Sequence, residues 1–238
     1  MDILYEDNHI IIVNKRPGEI VQGDKTGDTP LSETIKAFIK QRDAKPGNVF
    51  LGVVHRLDRP VGGAVIFAKT SKALSRLNDM LRTGDIHKTY WAITRNMPPQ
   101  PADTLTHFIT TVERNNKSYA SLKPAASAKE ARLRYRLLAS GITYHLIEVE
   151  LLTGRKHQIR VQLSAIGCPI KGDLKYGDKR SNPDGSISLL ARRIVFTHPV
   201  SGNVIDVTAP VPTTDNLWQV LADSIAAPQS PSNTTHDE

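Results

Sequence analysis

Two apolar spacings, one of two residues and one of 3.6, divide this chain into its elements. Ile10 to Asn14 is a short apolar strand, closed by a turn at Pro17-Gly18. Leu31, Ile35, Phe38 and Ile39 recur at helical spacing, which predicts a helix from Leu31 to Gln41. Thr29 can cap that helix, and Pro30 suits its first position. After the break at Pro46-Gly47, Phe50 to Val54 is an apolar strand running directly into His55-Arg56-Leu57-Asp58-Arg59-Pro60. Gly62-Gly63 leads into a strand from Ala64 to Lys69. Ser71 then caps a helix over Lys72 to Arg82, with Leu74, Leu77 and Leu81 on its apolar side.

The second half is richer in strands. Lys88 to Thr94 forms one, while residues 97–129 hold no sustained period and suggest a long polar excursion with a short strand or two. Arg132 to Leu138 alternates strictly, with Leu133, Tyr135 and Leu137 on one face and three arginines on the other. Tyr144 to Leu151 pairs with it across Ser140-Gly141. A helix from about Lys156 to Ile166 stops at Gly167, with Pro169 just beyond. Strands Arg193 to Thr197 and Val204 to Thr208 flank a turn, and a short helix near Asp215 to Leu221 precedes a polar tail. No period of repeat length recurs. Hairpins and clustered strands with interspersed helices make the fold class α+β, built on a large, mainly antiparallel sheet. One domain over residues 1–222 and a disordered tail over 223–238 are expected.

Composition narrows the function classes. Of 238 residues, 39% are hydrophobic and 23% charged, as in a globular protein. The N-terminus carries an acidic start and an apolar run of only four residues, so it predicts neither a signal peptide nor a membrane span. One cysteine, Cys168, excludes an internal disulfide framework and a Cys-rich zinc site, in keeping with a reducing cytoplasm. The net charge is +7. The last sixteen residues carry −3 of it, which leaves +10 on residues 1–222. A body that basic suits a polyanion such as nucleic acid, although an uninvolved basic surface would look the same.

Three segments carry the candidate chemistry. In Val53-Val54-His55-Arg56-Leu57-Asp58-Arg59-Pro60 an apolar strand delivers a carboxylate between two guanidiniums, which favour its charged form. Such a group suits a nucleophile or a base, though a surface ion pair fits the same pattern. In Leu152-Thr153-Gly154-Arg155-Lys156-His157-Gln158-Ile159-Arg160 a basic cluster opens a helix, where cations oppose the helix dipole and open amides can receive a phosphate. There Ile159, Leu163 and Ile166 turn to the core, and Arg160 shares a side with His157 and Ser164. In His87-Lys88-Thr89-Tyr90-Trp91-Ala92, Tyr90 can stack on a base or simply pack in the core. His55 and His157 are read as turn-holding residues, and Cys168 as a packing residue. The basic residues from Lys117 to Arg136 form either a solvated face or an RNA-contacting ridge.

Taken in order, these segments resemble the RluA family of pseudouridine synthases. His55-Arg56-Leu57-Asp58 matches its catalytic motif, Lys88-Thr89-Tyr90 its tyrosine motif, and Gly154 to Arg160 its arginine motif. Tyr5-Glu6-Asp7, Asn14-Lys15, Gly167-Cys168-Pro169-Ile170-Lys171-Gly172-Asp173, Tyr176-Gly177 and Phe196-Thr197-His198-Pro199 extend the similarity over residues 3–220. The resemblance implies the pseudouridine synthase fold, a large mixed sheet flanked by helices and loops. It also implies isomerisation of uridine to pseudouridine in a ribosomal or transfer RNA stem-loop, without cofactor or metal; a monomer is the default expectation, in the cytoplasm that the cysteine usage suggests. Asp58 would be the catalytic carboxylate, Arg160 its ion-pair partner and Tyr90 the residue packed on the uracil. Arg56 would help extrude the target base or fill its place, Leu189 would wall the site, and Arg155 would bind substrate.

The chain departs from the family pattern at Val61-Gly62-Gly63, at Lys15-Arg16-Pro17 and at Leu190. Its start leaves no room for the small S4 RNA-binding domain of many relatives, so the basic body itself is expected to grip RNA. Competing readings are an inactive RNA-binding protein on the same scaffold, and a metal-dependent nucleic-acid hydrolase built around Asp58.

Overall fold

A computed structural model describes residues 1–226, so the predicted tail beyond Ala226 lies outside the described residues. In chain order the elements are β1 (Ile3–Glu6), β2 (Ile10–Lys15), α1 (Leu31–Arg42), β3 (Gly52–Val53), β4 (Gly62–Ala68), α2 (Ser71–Thr83), β5 (His87–Thr94) and β6 (Ala102–Val112). They continue as β7 (Lys117–Ser121), β8 (Lys129–Ser140), β9 (His145–Leu151), α3 (Gln158–Ala165), β10 (Leu189–Thr197), β11 (Val204–Thr208) and α4 (Asn216–Ala226). All strands join one sheet in the order β1-β2-β4-β10-β5-β9-β8-β6-β7, with β11 beside β10 and β3 beside β4. Among the described residues only the β4–β10 pairing is parallel, so the sheet is mixed and mainly antiparallel.

Alternation sorts the core onto two faces. Ile11 and Val13 of β2, Val65 and Phe67 of β4, Tyr90 and Ala92 of β5 and Ile147 and Val149 of β9 share one face with Ile35 and Ile39 of α1 and Ile159 and Leu163 of α3. The intervening residues pack on the other face, against Ala73 and Leu77 of α2 and Trp218 and Leu221 of α4. Strands covered on both sides read as unbroken apolar runs, which is why Ile10 to Val13 shows no alternation.

Several expectations change in detail. Pro30, not Thr29, is the N-cap of α1, with no side-chain cap bond; Thr70, one residue before Ser71, caps α2 by accepting from the Ala73 amide. The Phe50–Val54 strand shrinks to the two residues of β3, because Phe50 faces solvent. The supposed polar excursion holds β6, eleven residues long, and β7; β1 was not foreseen. The helix α4 runs through residues 223–226, which were expected to begin the tail. The arginines of β8 do point away from Leu133 and Tyr135, but Arg134 and Arg136 meet Glu150 and Glu148 across the strand pair at 3.5 and 2.7 Å. Their face is also opposite to the one that carries Leu57 and Tyr90, so this part of the proposed basic ridge does not border Asp58. Among the described residues no helix is long and apolar enough to cross a membrane.

Candidate active site

Asp58 lies on the loop between β3 and β4, and three anchors fix that loop. Lys15, fully buried at the end of β2, donates from Nζ to the carbonyls of Arg16, Arg59 and Val61 at 3.0, 3.1 and 2.6 Å. His55 Nε2 accepts the Ile66 amide at 3.2 Å, and the Val61 amide closes a turn onto the Asp58 carbonyl at 3.0 Å. Gly63 then passes so close to β10 that a Cβ there would stand 2.4 Å from the Ala191 carbonyl oxygen, and its φ of +112° already favours glycine. The local departure Val61-Gly62-Gly63 thus keeps the one glycine that the β4–β10 contact requires.

The opposing wall comes from α3 and the loop after it. Arg160 sits on the first turn of α3, buried, and its planar fork bridges two carboxylates. Nε and Nη2 donate to Asp173 Oδ2 and Oδ1 at 2.7 and 2.9 Å, and Nη1 donates to Asp58 Oδ2 at 2.8 Å. Asp173 is 1% exposed, whereas the Asp58 side chain keeps 28% of its surface open to solvent. Bidentate pairing of this kind fixes direction as well as charge. Against the desolvation that opposes it, this pairing raises the Arg160 guanidinium further above its ordinary value. The guanidinium also lies 4.9 Å above the Tyr176 ring centroid.

The flanking arginines behave otherwise than their positions suggest. Arg59 turns away to Asp28 at 2.6 Å and to Thr26, and Arg56 is exposed with no hydrogen bond to protein among the described residues. The partner of Asp58 is therefore 102 residues distant in sequence. Tyr90 and Leu189 are buried in the cluster that also contains Leu57 and Ile159. Burial first, and the nearby Asp58 charge second, push the Tyr90 phenol above its ordinary value, so it stays protonated. Arg155 is exposed, and its Nε is bound to the Glu130 carbonyl at 2.9 Å, so it is not drawn into the Asp58 cluster.

The structure thus brings Asp58, Arg160, Tyr90 and Leu189 to one face of the sheet and leaves Arg56 and Arg155 outside, on the surface. Sequence reading gave no role to Lys15, Asp173 or Tyr176, although all three stand in the motifs quoted for the family. Lys117 Nζ lies 5.5 Å from the Tyr176 ring, Lys175 Nζ donates to the Asn116 carbonyl, and Lys156 meets Glu113 at 3.3 Å. These lysines make a cationic rim beside the α3 side of the site. A cavity of about 640 Å³ between α2 and the β10–β11 turn shares no residue with it. Among the described residues no group of three or more His, Cys, Asp or Glu is placed to hold a metal ion.

Residues 9–165 match the family model described as RNA pseudouridylate synthase. Ribosomal large subunit pseudouridine synthase D of Xylella fastidiosa is 30% identical over 235 residues, covering 93% of this chain and 69% of the relative. Ribosomal large subunit pseudouridine synthase C of Escherichia coli is 31% identical over 222 residues, covering 88% of this chain and 66% of the relative. Among solved structures, human RNA pseudouridylate synthase domain containing 4 has the same fold, with a TM-score of 0.76 at 23% identity over 94% of this chain and 93% of that one.

Proposed function

The chain belongs to the RNA pseudouridylate synthase family, and on that premise we propose that it converts uridine to pseudouridine in ribosomal RNA with Asp58 as the catalytic carboxylate. The observation that carries the assignment is the 2.8 Å bond from Arg160 to Asp58, made by a guanidinium that Asp173 has already locked in place. A carboxylate held in this way, with one side open to solvent, is preorganised for a substrate that arrives from outside.

The reaction is an isomerisation. The bond from N1 of uracil to C1′ of ribose breaks, one from C5 to C1′ forms, C5 loses a proton and N1 gains one. A base inside a stack cannot be rotated, so the target uridine must first be flipped out. Arg56, exposed and without a protein partner, is suited to enter the helix in its place. Tyr90 and Leu189 offer the detached uracil an aromatic platform and an apolar wall. Exclusion of water there keeps rearrangement ahead of hydrolysis. Asp58 can open the sequence by adding to the base, by adding to the sugar or by removing a sugar proton; all three need the same oxygen at the flipped nucleotide.

Ribosomal RNA is preferred to transfer RNA because the curated relatives bear the ribosomal large subunit in their names. The cationic rim of Lys117, Lys156 and Lys175, with Arg155 further out, is suited to the phosphates of a stem-loop. A monomer acting in the cytoplasm completes the reading. An inactive binding scaffold would keep the Arg160–Asp173 pair for stability, but it gives no reason to hold a second, partly open carboxylate, Asp58, on the same guanidinium. The test uses the purified chain and ribosomal RNA carrying tritium at uracil C5. Tritium release by the wild type, and binding without release by Asp58→Ala, is the expected pair of results. Full release by Asp58→Ala would remove Asp58 from the chemistry.

A further inference from the structure

We infer that His157 is a positioning residue for Asp58: Tyr176 fixes its imidazole as the Nε2–H tautomer, which joins Arg160 in holding Oδ2 and leaves Oδ1 to meet the uridine. The inference rests on the proposed role of Asp58 and specifies how that carboxylate is aimed.

His157 occupies the N-cap of α3 with φ +56° and ψ 23°, a left-handed conformation that side-chain-bearing residues adopt at a cost. Turn-holding alone does not explain the placement, because the side chain makes no capping bond. The conformation instead sends the ring inward, where 6% of the side chain is exposed. There Nδ1 lies 2.7 Å from Tyr176 Oη, and Nε2 lies 3.7 Å from Asp58 Oδ2.

The tautomer follows from counting protons. Tyr176 Oη already accepts the Ser118 amide at 2.8 Å, so its own proton is free to go to His157 Nδ1. Nδ1 then accepts, and the ring carries its hydrogen on Nε2, facing the carboxylate. The opposite tautomer would aim a bare lone pair at a negative oxygen. Burial pushes the imidazole down to about 4 against the pull of Asp58, so the ring is neutral at pH 7 and the contact is a dipole on a charge. At 3.7 Å it is longer than a hydrogen bond, so it orients Oδ2 electrostatically and leaves the hydrogen bond there to Arg160.

Both protein groups therefore address the same atom. Arg160 Nη1 and His157 Nε2 meet Oδ2, and Oδ1 receives no hydrogen bond among the described residues. Tyr176 couples the two, with its ring face beneath the Arg160 guanidinium and its hydroxyl on His157. One aromatic ring thus touches both groups that face one oxygen, and the second oxygen is left without a protein partner among the described residues.

The experiment measures single-turnover tritium release and RNA affinity on a target transcript labelled at uracil C5. The proteins are wild type, His157→Asn, Tyr176→Phe and, as control, Asp58→Asn. Asparagine tolerates positive φ and can keep a bond to Tyr176, but it stops short of Asp58. The inference expects His157→Asn to lose turnover on the order of 100-fold, as for a misaimed catalytic group, with RNA affinity unchanged. Tyr176→Phe should lose less and in the same sense. Wild-type turnover in His157→Asn overturns the inference, as does a loss of turnover matched by an equal loss of affinity. Should His157→Asn fail to fold, Tyr176→Phe decides alone, and unchanged turnover there also overturns it. An active Asp58→Asn control would instead sink the role of Asp58 itself.

Discussion

Replacing Arg160 by lysine separates charge from geometry at the centre of the site. Arg160→Lys keeps the positive charge but exchanges a planar fork for one ammonium on a flexible stem, which cannot span Asp173 and Asp58 together. Three charge-assisted hydrogen bonds are made by the native side chain, at 2.7, 2.9 and 2.8 Å. Lysine can recover about one of them, and each lost bond is worth roughly 1.5–3 kcal/mol, so the fold loses about 3–6 kcal/mol. Little of this is returned by water, since Asp173 is 1% exposed and the Arg160 side chain 7%. In a chain of this length that lowers the thermal midpoint by at least about 6 °C. Turnover should fall further, on the order of 100-fold, because a carboxylate displaced by about 1 Å no longer meets its target. Thermal unfolding followed by circular dichroism, together with tritium release at a temperature where both proteins are folded, measures the two effects. A variant with native midpoint and native turnover would refute the claim that the fork, rather than the charge, organises the site.

Gly63→Ala should lower stability by at least roughly 3 kcal/mol, because the new Cβ meets the Ala191 backbone at a positive φ; a thermal midpoint within about 2 °C of wild type would contradict this. Lys15, pushed down to about 8 by burial, should lose its proton as pH rises and loosen the loop that carries Asp58, so turnover should fall through about pH 8. Its folded value lies below the unfolded one, so between about 8 and 10.5 the unfolded chain binds more protons, and Lys15 contributes rising stability across that window. Falling turnover without falling stability is therefore the signature, and a Lys15→Met variant that retained the same alkaline fall would exclude Lys15 as its source. Added chelator should leave turnover unchanged, since the proposed chemistry runs on a carboxylate and a guanidinium; a large loss would favour the metal-dependent hydrolase.

What the sequence discloses depends on whether a role is local. The strict alternation of Leu133 and Tyr135 with arginines marks β8, and the motifs around Asp58, Tyr90 and Arg160 mark the site residues the structure gathers on one face. The strand β6 is hidden because one of its inward positions is His107, held in the core by Gln162 at 3.0 Å, between Leu105 and Ile109. Its outward positions mix Thr104, Thr106 and Thr110 with the apolar Phe108 and Val112, so polarity there does not alternate. Proximity in sequence also misleads at Asp58. Arg56 and Arg59 stand beside it in the chain, yet backbone direction sends Arg59 to Asp28, and Arg160 arrives from a distant helix. Asp173 lies 13 residues beyond Arg160 on a loop, where no periodicity links the two. Tyr176 and Lys15 are likewise joined to Asp58 only by the folded sheet.

Mapping pseudouridine in total RNA from cells that lack this protein, and from the same cells supplied with wild type or Asp58→Asn, puts the central claim to the most direct test. Defined uridines of ribosomal RNA should stay unmodified without the protein, regain modification with wild type and remain bare with Asp58→Asn. Restoration of those sites by Asp58→Asn, or an unchanged map in cells without the protein, would contradict the account.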